Sequence, residues 1–204
     1  PAGAAGKIAK AARGARAPRP YLGVAGRETM AFGVDPRTTY EFRYRAAPLD
    51  DLVPSHGDNF APNKNFPSEL QPRDKTRAAV QEDVGRIANQ LEPSSILTDS
   101  KQLQTGSPII GPDGLVESGN TRVMALRRAR TDIPERWAAY QKEAYQAAPE
   151  LGISQEEMAR IKDPVIVRER ITAVDRVKFA REANESTTLG MGSAEVAQID
   201  AQRL

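Results

Sequence analysis

A chain that grips a phosphate commonly offers it a helix start, a glycine and an arginine, and residues 118–122 (Ser118, Gly119, Asn120, Thr121, Arg122) supply all three in order. The residues before them, Leu115 to Glu117, read as a strand, and those after them as a helix. The first N–H groups of that helix have no intrahelical acceptor, and the aligned peptide dipoles leave partial positive charge there. Glycine lets an anion approach the backbone, and Arg122 adds a planar, permanently charged fork. The same residues also suit a plain turn followed by a cap, with the arginine in solvent.

Other reactive side chains are few. Asp113 and Glu117 flank the hairpin before the corner and carry carboxylates that a metal could use. Asp113 is also the ordinary aspartate of a Pro112-Asp113-Gly114 turn, and Glu117 suits a solvent-facing position. Asp50 and Asp51 read as a surface turn. His56 is the single histidine, which excludes a histidine-rich zinc site, and it reads as a loop residue. The absence of cysteine excludes disulfides and thiolate sites. Arg127, Arg128 and Arg130 follow the corner on its helix, either as an extended surface for phosphate or nucleic acid or as solvated charges.

The elements that must position these residues follow from periodicity. Residues 39–45 alternate Tyr40, Phe42 and Tyr44 with Glu41, Arg43 and Arg45, a half-buried strand. Residues 59–70 are a loop rich in Asn and Pro. Pro72 opens a helix whose stripe is Val80, Val84, Ile87, Ala88 and Leu91, and Pro93 closes it. A strand at 108–110, the turn, a second strand at 115–117 and the corner helix come next, ended by Pro134. Trp137, Tyr140, Ala144 and Ala148 mark a further helix, and Ser154 to Glu157 a capping box that opens a short one running to Lys162. Val165, Ile166 and Val167 read as a buried strand. Thr172 to Asp175 is read as another box opening a helix to residues 184–186, and Ser193 caps a last helix. That order predicts an α+β fold: a small mixed sheet flanked by helices, with a helical insertion at 134–162 and C-terminal helices.

Charge is unevenly spread. Residues 1–27 hold six basic residues and no acid, so of the net +2 the remaining residues carry −4. Residues 1–38 are therefore read as a basic linker with salt-sensitive attraction for DNA, residues 39–172 as the domain, and residues 173–204 as helices completing the site. No apolar run is long enough to span a membrane, and the chain is expected to be a cytoplasmic fragment of a longer polypeptide.

Three segments in this order resemble the nucleotide-binding domain of ParB-type partition proteins, in the ParB/sulfiredoxin superfamily. Gln71-Pro72-Arg73 resembles a Gln-Pro-Arg box at a helix start. Residues 116–129 resemble the strand-glycine-helix phosphate box, with Thr121-Arg122 where that family has paired arginines. In sulfiredoxins the corner is Gly-Cys/Asn-His-Arg, and this chain sits between the two patterns. Residues 181–195 resemble the third box, with Asn184-Glu185 in the reverse of the usual order. The loop at 59–74 further resembles the DdrB-like ParB domain of polyvalent proteins from phages and conjugative elements. The resemblance implies binding of CTP or another nucleotide with Mg²⁺. Gln71, Arg73, Ser118, Gly119, Asn120, Thr121, Arg122 and Asn184 would hold the nucleotide, and Asn184 and Glu185 the metal. Partners would be the nucleotide, DNA through the tail, other domains of the parent chain, and a second copy in a homodimer. Two alternatives stand beside it. One is a metal-dependent phosphotransferase or nuclease with Glu185 and Glu117 as catalytic residues, and the other is a ligand-free interaction or packaging module. Sulfiredoxin chemistry is excluded, because it needs a cysteine.

Overall fold

The alternation of Tyr40, Phe42 and Tyr44 with charged residues has a period of two, which puts one face of a strand against a core. In the computed structural model, which describes residues 22–70 and 77–184, this segment is β2 (Thr39–Pro48), with Phe42 and Tyr44 fully buried and Glu41 exposed. It pairs antiparallel with β1 (Val24–Phe32) on one side and β5 (Pro164–Arg170) on the other. β3 (Ile109–Ile110) runs parallel to β5, and β4 (Val116–Ser118) antiparallel to β3. The sheet order is β1-β2-β5-β3-β4, a five-stranded mixed sheet, and with its helices the fold is α+β as expected. Val165, Ile166 and Val167 lie buried in its middle, which explains a run unbroken by polar residues.

The predicted apolar stripe is met in α1 (Arg77–Asn89), where Val80, Val84 and Ala88 pack on Met124 and Ala125 of α3 (Asn120–Asp132). Residues 71–76, where the sequence places the start of this helix, lie outside the described residues, as do residues 1–21 and 185–204. Pro93 does not close α1; it is the first residue of a separate short helix, α2 (Pro93–Leu97), because proline suits a position whose N–H needs no intrahelical acceptor. The segment read as an insertion forms α4 (Pro134–Ala147) and α5 (Gln155–Met158), and Ser154 caps α5 by accepting from the Glu157 N–H. Tyr140, Ala144, Ala148, Leu151, Ile153 and Met158 all join the main core, so this segment is integral to the fold. Asp175, rather than Thr172, caps α6 (Arg176–Asn184), accepting from the N–H groups of Val177 and Lys178. No helix among the described residues is long and apolar enough to cross a membrane.

Residues 24–32, read as part of a linker, are a correction. They form β1, and the reason they escaped notice is physical. β1 is an edge strand in which Ala31 alone is buried, so it shows no alternation.

Residues 99–107 have almost no regular structure, and side-chain hydrogen bonds hold them. Arg168 on β5, 1 % exposed, spends all five of its N–H donors on backbone carbonyls. Its Nε donates to Ser107 (3.0 Å), Nη1 to Ser100 and Gln102 (3.1 Å each), and Nη2 to Leu103 (3.4 Å) and Thr105 (2.5 Å). Burial lowers its pKa to about 10. At the other end, Asp99 accepts from Tyr44 Oη (2.6 Å), Thr29 Oγ1 (3.0 Å) and Arg27 (3.1 Å). Burial alone would raise the Asp99 carboxyl, but these donors outweigh it and hold it well below the usual carboxylate range.

Two outcomes are expected. Arg168→Met should strand several buried carbonyls and lower the stability by more than about 3 kcal/mol in urea unfolding, with Arg168→Lys intermediate because an ammonium has three donors. The Asp99 contribution should be complete above the ordinary aspartate value of 3.8 and lost as pH falls below it towards the folded value. Acid unfolding of Asp99→Asn should accordingly be flatter than that of the parent chain.

Candidate functional site

β4 ends at Ser118 and α3 begins at Asn120, so the whole reversal of direction falls on Gly119, at φ +84° and ψ +27°. A side chain is disfavoured in that conformation. Gly119 brings no capping side chain, and the first turn of α3 contains no acid. The first bond into the helix is Val123 N–H to the Gly119 carbonyl. The N–H groups of Asn120, Thr121 and Arg122 are left without acceptors among the described residues. The four residues 119–122 are half-buried, and the Thr121 hydroxyl makes no hydrogen bond among the described residues.

The walls of this corner come from three places. Asn120 Oδ1 accepts from the Ser55 N–H (2.7 Å) while its Nδ2 donates to Val116 O (3.2 Å), fastening residues 53–56 beside the helix start. Ser55 and His56 are both buried there, with a hydrogen bond of 2.9 Å between the Ser55 Oγ and the His56 Nδ1. The position of His56 beside the corner, under a loop, has no signal in the sequence. Ser118 Oγ donates to Ala183 O (2.9 Å) and Leu103 O (3.3 Å), joining the end of α6 and the 99–107 segment to β4. Asn184, the last described residue, donates from Nδ2 to Glu117 O (2.9 Å) and Ala180 O (2.6 Å). Asn184 of the third box and the glycine corner of the second therefore meet, although 65 residues separate Asn184 from Gly119 in sequence. Gln71, Arg73 and Glu185 lie outside the described residues.

Arg122 does not extend into solvent. Its Nη1 donates to the Gly106 carbonyl and its Nη2 to Gln104 O (2.9 Å). A methyl group on Gly119 would lie 2.8–3.0 Å from Nη2, Cζ and Nε of this guanidinium, which would have to shift; the left-handed backbone is what favours glycine here. Burial, followed by the like charge of Arg168, lowers the Arg122 pKa to about 9.

Glu117 is fully buried, contrary to the solvent-facing reading. Arg170 clasps it with two bonds, Nε to Oε2 (2.8 Å) and Nη2 to Oε1 (2.9 Å), and Arg176 adds Nε to Oε1 (2.6 Å). Arg176 also clasps Asp113, at 2.7 and 2.5 Å. Burial would lower the Arg176 pKa, but the two carboxylates outweigh it and raise it. Both oxygens of Glu117 are thus in guanidinium contacts, and none of its surface is exposed. Arg170 and Arg176 were missed from sequence. The available signal was arginine at Arg168 and Arg170, two apart and so on one face at the end of a strand that begins with an apolar run. Arg127, Arg128 and Arg130 are half-buried. Arg127 donates to Leu52 O (2.9 Å), and Arg130 pairs with Asp50 (2.8 Å) and Asp163 (3.0 Å), which clamps the 49–52 turn.

Glu117→Gln should cost about 3–5 kcal/mol, because it leaves buried guanidinium charge uncompensated. Thermal unfolding checks this, and an unchanged melting temperature would refute the assignment.

No curated protein and no solved structure matches the chain. The family model of the ddrB-like ParB superfamily domain matches residues 35–171, a span from just before β2 to just after β5 that includes the hairpin, the glycine corner and α3. The chain belongs to the ddrB-like ParB superfamily domain family.

Proposed function

We propose that this domain binds a nucleoside triphosphate, CTP or another, within a multidomain protein of a phage, plasmid or conjugative element. Its phosphates would sit at the start of α3. One observation carries this reading. A helix of 13 residues opens at a left-handed glycine with bare N–H groups, no capping side chain and no acid in its first turn. Asn184, from a distant part of the chain, closes on the same corner. Among the described residues no cluster of three or more His, Asp or Glu could hold a metal. A magnesium ion would therefore be held chiefly by phosphate oxygens and water, with the Asn184 amide oxygen and Glu185 as the protein's contribution. Bound there, Mg²⁺ would neutralise phosphate charge. Gln71 and Arg73 would reach the nucleotide from the segment before α1, and the basic residues of 1–27 would add a salt-dependent attraction for DNA.

A second reading, the ligand-free interaction module, is favoured by one contact set: Nη1 and Nη2 of Arg122 are already committed to Gly106 and Gln104. For the phosphotransferase or nuclease reading, Glu117 and Asp113 are both tied to arginine, which leaves Glu185 as its carboxylate.

Calorimetry with CTP, ATP, GTP and ADP in the presence of Mg²⁺ separates these readings, and Thr121→Glu is the sharpest variant. A carboxylate in the first turn favours the helix but repels an incoming phosphate. The expected result is unchanged or higher thermal stability together with at least roughly tenfold weaker binding, a difference of about 1.4 kcal/mol. Absence of heat with every nucleotide would leave the interaction module standing.

A further inference from the structure

The exposed large apolar side chains among the described residues all lie at one end of the sheet: Met30, Phe32, Val34 and Ile171, 38–46 % exposed. Register explains why. Ala31 and Phe42 turn to the face that Phe179 and Ala183 of α6 cover, so the alternation of β1 and β2 sends Met30, Phe32 and Glu41 to the opposite face. Met30 sits across from Glu41, and Phe32 across from Thr39. On the other side of Glu41, Arg170 reaches over Phe179 on the covered face, so the next residue, Ile171, falls on the open one. The Ile171 N–H donates to the Glu41 carbonyl (2.9 Å). One row below, Arg43 pairs with Glu28 (2.7 Å). The Glu41 carboxylate, exposed between Met30 and Ile171, makes no ion pair or hydrogen bond among the described residues. Apolar residues scattered singly over a surface need no account, whereas a cluster around one uncompensated charge marks a contact surface.

We infer that residues 193–204 of this chain cover that face as an amphipathic helix, with Val196 and Ile199 on Met30, Phe32 and Ile171, and Arg203 against Glu41. These residues lie outside the described ones, and the choice of occupant rests on pattern, reach and size. Val196, Ile199 and Arg203 follow one another at three and four residues, which places two branched aliphatic side chains and one cation on a single helical face. That face is the complement of an apolar row with a lone carboxylate. α6 ends close to the patch, since Glu182, two residues before Asn184, accepts from the Val34 N–H (2.7 Å). The stretch 185–192 can extend to about 27 Å, well beyond the ~10 Å between layers packed on a sheet, so it can pass the end of the sheet. Size selects a helix over a second domain. Taking ~200 Å² for each large side chain, the four offer on the order of 300 Å², short of the ~800 Å² that each partner buries in a stable interface. A tethered helix needs less, because its effective concentration is about millimolar. Residues 1–21 match the charge but not the apolar row, with Ile8 as their one branched aliphatic side chain. Docking gives this end of the sheet its second layer and fixes the path of the chain beyond Asn184.

The chain has no cysteine, so a pair can be introduced without competition. In the full chain at low concentration, Phe32→Cys with Ile199→Cys is oxidised with copper phenanthroline and followed on non-reducing gels and by peptide mass. Gln81→Cys with Ile199→Cys serves as the control, because Gln81 is exposed on α1, which packs on α3. The expected result is an intramolecular link formed at least roughly tenfold faster than in the control pair. Glu41→Arg should slow that link at least roughly threefold, and Glu41→Arg combined with Arg203→Glu should restore it. Circular dichroism checks that each variant is folded, and Phe32 and Glu41 are exposed sites. A link no faster than the control, or one that the charge reversals leave unchanged, overturns the inference. A covalent dimer instead gives the face to a second copy, and faster linking of Phe32→Cys with Ile8→Cys gives it to the N-terminal segment; either result also overturns it.

Discussion

Guanidinium groups turned inward on β5 are the constraint on which the rest of this molecule depends. A buried cation loses stability for each N–H that finds no hydrogen-bond acceptor. Arg168 finds them in the backbone of residues 100–107, and in doing so gives a definite path to a segment with almost no ladder of its own. Two residues further along the same face of the strand, Arg170 finds them in Glu117 of β4. One strand thus fixes the two surfaces between which the glycine corner lies: the carbonyl-rich loop on one side and the end of β4 on the other.

The second consequence concerns α6. Glu182 accepts from Tyr40 Oη (2.6 Å) and the Val34 N–H (2.7 Å), and burial followed by that carboxylate pushes the Tyr40 pKa up to about 12. At its start, Arg176 joins the Glu117–Asp113 ion network; at its end, Asn184 bonds β4. A nine-residue helix tied at its beginning and its end cannot slide, so Asn184 is delivered to the corner by contacts made at opposite ends of the sheet order. The buried network that does this is charged throughout, and two arginines against two carboxylates leave it electrically balanced. Arg122, like Arg168, is instead bonded to backbone carbonyls.

The helices at 134–158 contribute differently. They bury Tyr140, Ala144 and Met158 in the main core, and the Tyr140 hydroxyl accepts from the Ile166 N–H, so they brace the middle of β5 from the side. Bracing that strand holds Arg168 and Arg170 in place, and so these helices influence the corner without touching it.

Some of this was legible in the residues themselves. The period of two in β2, the stripe of Val80, Val84 and Ala88, the glycine reversal before Asn120 and the cap at Ser154 are local patterns, set by backbone sterics and by which faces are apolar. β1 was not legible, because an edge strand with one buried residue has no periodic signature and owes its form to pairing with β2. Nor were the roles of Arg122, Glu117 and Arg127, which sequence patterns assign equally well to solvent, ligand or core. A charged side chain is placed by whatever hydrogen-bond partner lies across from it, and here those partners are 16 to 78 residues away along the chain. Local sequence therefore determined most of the strands and helices and the glycine corner between β4 and α3. The tertiary structure alone decided which arginines became struts, because desolvation and hydrogen-bond satisfaction are settled only when distant segments close upon them.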